Sequence, residues 1–213
     1  IGAVLYPLTW LANFQSLALT IPLTNKNFPY LSEIYKELNK FRRLKSLTLK
    51  FDRTSILETD EGLFPINTLE DISEIEHLNM QFTDGNNLLG GSYISKVFRF
   101  ANMARVQTLE LLIHSYINLH KYSWNIIINN FPYLIRLKIT LQSTNLHTKT
   151  IPYLFDLFSK MPSLQGLSLE LSHLVNEKGI STLTNFQQRF QGLKELSLKF
   201  VSCKTLNNEC LIS

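Results

Sequence analysis

Seven copies of an eleven-residue pattern, apolar-x-x-apolar-x-x-Leu-x-Leu-x-apolar, leave this chain few ways to fold. The copies run from Leu11 to Ile21, Phe41 to Phe51, Ile72 to Phe82, Met103 to Ile113, Phe131 to Leu141, Met161 to Leu171 and Phe190 to Phe200. Successive copies begin 30, 31, 31, 28, 30 and 29 residues apart. Self-similarity at that period is the mark of a solenoid, in which each unit contacts only its neighbours. The unbroken rhythm therefore argues for one array over the 213 residues, not two small domains.

Within each copy the last five residues alternate with period two, so Leu47, Leu49 and Phe51 share one face of a strand while Ser46, Thr48 and Lys50 share the other. Between copies the period becomes helical. Leu31, Ile34, Tyr35, Leu38 and Phe41 form one stripe, and Ile94, Val97, Phe98 and Ala101 another. Trp124, Ile127, Ile128 and Phe131 repeat the spacing, as do Leu154, Leu157, Phe158 and Met161. Ile180, Leu183, Phe186 and Phe190 approximate it, and Ile66, Leu69 and Ile72 make a shorter stripe. Pro65 and Pro152 suit a first helical turn, where a missing N–H is harmless, and Pro132 and Pro162 mark the change from helix to strand. Strand–helix units stacked in register give a parallel sheet on one side and helices on the other. A helix is about 10 Å wide and a strand spacing about 4.8 Å, so such an array curves with its sheet concave.

These units resemble the leucine-rich repeat family, most closely its ribonuclease-inhibitor-like subclass of strand–helix units. The resemblance covers residues 11–200 and implies an α/β solenoid of about seven repeats of 28–31 residues, with residues 1–213 a single array cut from a longer chain. The family usually carries Asn or Cys just after the strand, and here those positions are Pro22, Asp52, Thr83, His114, Gln142, Ser172 and Val201. Their lack implies looser turns without the usual polar ladder. The stretch from Leu167 to Leu171, followed by Asn176 to Ile180, resembles divergent repeats abundant in ciliates.

Composition narrows the function class. The chain is 45% hydrophobic and 18% charged, ordinary for a globular protein. No stretch reaches the ~20 apolar residues of a membrane span. Cys203 and Cys210 lie together at one end, unlike a distributed disulfide framework. They read as reduced thiols of a cytoplasmic protein, with cytoskeletal or ciliary placement an extension of the ciliate resemblance; a bridged terminal cap on an extracellular array is the alternative.

The outward strand positions form the candidate docking face. They begin Ser16, Ala18, Thr20, then Ser46, Thr48, Lys50, and continue through seven strands. The partner-binding candidates are His77, Asn79, Gln81, Glu110, Leu112, Arg136, Lys138, Glu170 and Lys199. The centre, from His77 to Lys138, carries the larger side chains, and Arg is favoured at interface hot spots, which singles out Arg136. The net charge of +4 is mildly basic. A phosphate-tracking groove needs a stripe of one sign, whereas Lys50, Arg136, Lys138 and Lys199 alternate with Glu110, Glu170 and Glu195, which argues against nucleic acid.

The histidines, His77, His114, His120, His147 and His173, lack metal-ligand spacing, and neither cysteine lies in a CxxC pair. His114 and His173 read as turn residues bonding backbone groups. Gly85, Gly90 and Gly91 read as a turn, and Glu58, Asp60 and Glu61 as a solvated loop without the other ligands of a calcium site. The expectation is a non-enzymatic scaffold or structural subunit, without cofactor or metal, that docks another protein or a multi-protein complex on its concave sheet, edges or ends. The alternative is the sensor or substrate-receptor repeats of a larger kinase or ubiquitin-ligase chain.

Overall fold

The computed structural model describes residues 14–23, 37–38, 41–53, 74–84, 105–114, 121–142, 150–172, 190 and 192–201. Seven strands form one sheet in chain order: β1 Ser16–Leu23, β2 Ser46–Arg53, β3 His77–Asp84, β4 Thr108–His114, β5 Arg136–Gln142, β6 Gly166–Ser172 and β7 Glu195–Val201. Every neighbouring pair is parallel. Parallel neighbours require a crossover between strands, and the repeat supplies one of about 20 residues each time. Two such crossovers contain described helices, α1 Lys121–Asn129 and α2 Thr150–Ser159. The chain is thus a parallel-sheet solenoid.

The register follows the sequence repeat residue for residue. Leu47 pairs with Leu78, Leu78 with Leu109 and Leu109 with Leu137, so equivalent leucines stack in one column. Leu47, Leu49, Phe51, Phe82, Leu109 and Ile113 are fully buried. Trp124, Leu154 and Phe158 from the helices belong to the same buried cluster, so one core lies between sheet and helices. Phe51 and Phe82 are register partners whose rings stack 5.1 Å apart.

The backbone before each strand repeats as closely. The carbonyl of Gln15 accepts N–H bonds from both Lys45 and Ser46, each at 2.9 Å. The carbonyls of Lys45, Glu76, Gln107, Ile135 and Gln165 each accept two N–H groups from the next unit in the same way, at 2.7–3.0 Å. Both lone pairs of each oxygen are used, which pins successive strands in register. Upstream lies a tight turn, in which Leu134 N–H bonds Phe131 and Leu164 N–H bonds Met161, both at 3.3 Å. Pro132 and Pro162 occupy its second position, where their fixed φ is favourable.

Three expectations need correction. The buried stripe of α2 is Ile151, Leu154, Phe155 and Phe158, while Leu157 and Met161 are only partly buried. The stripe is rotated because the helix must also cover Phe190, which meets Phe155 edge to face at 6.3 Å. Pro22, Asp52, Thr83, His114, Gln142, Ser172 and Val201 lie in the strands, not in turns after them. Two of them still satisfy backbone: Thr83 Oγ1 donates to Phe51 O at 3.2 Å, and Ser172 Oγ to Leu141 O at 3.3 Å. Each hydroxyl reaches back one unit, so a partial polar ladder exists, built from hydroxyls. His114 ends β4 exposed, and its side chain makes no hydrogen bond among the described residues. His173 and the glycine, acidic-loop and cysteine positions lie outside the described residues, as do Tyr35 and Phe98.

Candidate functional site

Alternation along each strand sends every second side chain away from the core, and the register aligns these into three columns. The first runs Ser16, Ser46, His77, Thr108, Arg136, Gly166, Glu195. The second carries Asn79, Glu110 and Lys138 side by side, and the third carries Gln81, Leu112, Thr140, Glu170 and Lys199. All nine candidate residues therefore share one face of the sheet. His77, Arg136, Lys138 and Lys199 are exposed; Asn79, Gln81, Glu110, Leu112 and Glu170 are half-buried. Thr140, expected to be exposed, is buried at 8%, because it sits in its column between the longer Leu112 and Glu170.

The alternating charges meet across strands. Glu110 accepts a bond from Asn79 Nδ2 at 3.2 Å and lies 3.6 Å from Lys138 Nζ, while Gln81 Nε2 donates to Asn79 Oδ1 at 3.4 Å. Four of the candidates thus form one network centred on Glu110. Lys199 donates to Glu170 at 2.9 Å, a separate pair at the β6–β7 end. Arg136 reaches past β6 to Glu195, two strands away, with Nη2 to Oε1 at 3.4 Å. That span is open because Gly166 lies between them; a Cβ there would come within 3.2 Å of Arg136 Cγ. Among the described residues Lys50 has no ion-pair partner.

A second row of charges lies just before the strands, and Lys45, which the sequence groups with Arg42 and Arg43 as a solvated rim, belongs to it. Lys45 Nζ donates to Glu76 at 2.7 Å, and Arg105 Nη1 to Glu74 at 2.6 Å. The bond to Lys45 holds the Glu76 carboxyl below its ordinary value and raises the Lys45 ammonium above its own. The signal was in the sequence, since each pair is separated by 31 residues, one repeat period. Along this row Tyr133 is 63% exposed beside Ile135 and Gln107, at a second depression of about 540 Å³. A first, of about 560 Å³, lies over Gly166. No group of three or more His, Cys, Asp or Glu among the described residues is placed to hold a metal ion. Among them, too, no helix is long and apolar enough to cross a membrane. No protein-family model matches this chain, and no curated protein matches it either.

Proposed function

We propose that the chain is a leucine-rich repeat array of the strand–helix, ribonuclease-inhibitor-like kind, and that it is a non-enzymatic docking scaffold or structural subunit. Its concave sheet receives a segment of another protein. One observation carries the reading: outward side chains of seven in-register strands form one largely polar face, and on β3 to β7 three separate sets of contacts tie neighbouring charges together. Six spacings of about 4.8 Å make that surface about 29 Å long. An extended segment of about nine residues fits along it at about 3.3 Å per residue. Glu110, Lys138, Glu170 and Lys199 are already held by neighbours, which lowers the conformational cost of binding there.

The test is crosslinking mass spectrometry on the full-length protein purified from its source, followed by the double variant Arg136→Glu/Lys138→Glu. Crosslinks from Lys50, Lys138 and Lys199 to one recurrent protein, lost in the variant, are the expected result. Recurrent crosslinks that persist in a folded variant would move the docking site off this face.

A further inference from the structure

We propose that the depression over Gly166 seats a carboxylate side chain of an extended acidic segment on the partner protein, and that Glu195 occupies that seat in the free chain. The proposal rests on reading the exposed sheet face as the docking surface.

The seat exists because one column position is vacant. Between Arg136 on β5 and Glu195 on β7 stands Gly166, and an added Cβ would lie 3.2 Å from Arg136 Cγ and 3.4 Å from Glu195 Oε2. The resulting depression of about 560 Å³ has Gly166 and Ser168 beneath it and Arg136, Lys138, Lys194 and Glu195 around it. Glu110 also borders it, so three cations face two carboxylates, an excess of one positive charge. Lys194 is exposed and has no ion-pair partner among the described residues.

The internal pair is loose. Arg136 touches Glu195 at a single 3.4 Å contact, with the two side chains 61% and 67% exposed. Lys45–Glu76 and Lys199–Glu170 close to 2.7 Å and 2.9 Å, although Lys138 stands 3.6 Å from Glu110. A charge-assisted bond is strongest at about 2.7–2.9 Å, and a guanidinium can grip a carboxylate with two parallel donors. An exposed pair of this kind contributes little to stability, so displacing Glu195 costs little. An incoming carboxylate gains the second donor of Arg136 and the free ammonium of Lys194. The surroundings select against a polyphosphate chain. Glu110 on β4, Glu170 on β6 and Glu195 on β7 interrupt the face, which repels a uniformly charged backbone but leaves room for single carboxylates between neutral residues.

Fluorescence anisotropy on the folded protein tests this with three labelled probes: a nonapeptide alternating Glu and Ser, its Lys/Ser counterpart, and a nine-nucleotide single-stranded DNA. The Glu/Ser peptide is expected to bind, and the Lys/Ser peptide and the DNA are not. Arg136→Gln should weaken the peptide about tenfold, the loss of one charged hydrogen-bonding partner. Glu195→Gln should tighten it several-fold by vacating the seat. Gly166→Leu should abolish binding by filling the depression without altering charge; if it misfolds by circular dichroism, Lys194→Gln, which should weaken binding, replaces it. Unchanged binding in Arg136→Gln, weaker binding in Glu195→Gln, or DNA bound more tightly than the peptide would each overturn the proposal. The two readings fail separately. If the acidic peptide does not bind but Arg136→Glu/Lys138→Glu still releases the crosslinked partner, the docking face stands and the carboxylate seat falls.

Discussion

Glu76 shows how one exposed side chain can report a repeat boundary. Its carboxyl is held below the ordinary value chiefly by the hydrogen bond from Lys45, one unit earlier. A carboxylate lowered on folding stabilises the native state above its ordinary pKa and loses that contribution as pH falls through the lowered value. NMR titration of Glu76 should therefore give a midpoint below 4.5, and Lys45→Gln should return it toward 4.5. Both groups are solvated, so raised salt should shrink the difference. Trp124 is the converse case, a fully buried indole whose Nε1 has no hydrogen-bond partner among the described residues. Removing an unsatisfied donor offsets part of the volume lost in Trp124→Phe, which should cost less than about 1.5 kcal/mol. Trp124→Ala should cost about 3–5 kcal/mol, with chemical denaturation comparing the two. The sequence placed Trp124 in the core, but its lone N–H depends on what surrounds it.

For the strands, stability is a matter of stacking in columns. Leu111 is 1% exposed between Met80 and Ile139, whereas Leu196 in the last strand is 45% exposed. Leu111→Ala should cost about 2–5 kcal/mol, the range for a buried leucine, and Leu196→Ala less than half as much, read from denaturant midpoints. Thr83→Val preserves shape while deleting the bond to Phe51 O. It should cost about 0.5–1.5 kcal/mol, in line with one intramolecular hydrogen bond. The strands were legible because period two survives with a face buried. The phase of α2 was not. Leu157 and Phe155 are both apolar and both compatible with a helical stripe, and only the position of Phe190 decides between them. Asn125 and Tyr153, joined by a hydrogen bond between α1 and α2, were equally silent in the sequence. Burial pushes the Tyr153 hydroxyl above its ordinary value, so that bond should persist throughout the neutral range.

Across the whole molecule, burial is greatest in the middle and falls at both ends of the sheet. Leu17 and Leu19 of β1 and Leu198 and Phe200 of β7 are only partly buried, while their counterparts in β2 to β6 are buried. In a solenoid stability is shared between neighbours, and among the described strands β1 and β7 each pair on one side only. Hydrogen exchange on these 213 residues alone should therefore be slowest in β3 to β5 and faster in β1 and β7; uniform protection would show the array opening only as one unit. The repeat, the strand positions, the inward and outward faces and the register were all legible in the order of residues, because a stacked array must bury equivalent residues together. That order also puts charges of both signs on the outer face. Which charges meet beyond the neighbouring strand was settled only by tertiary structure. Arg136 and Glu195 are 59 residues apart, and their contact depends on a glycine in the intervening strand. Pairing across strands is a property of distance, and distances between units exist only once the chain has stacked.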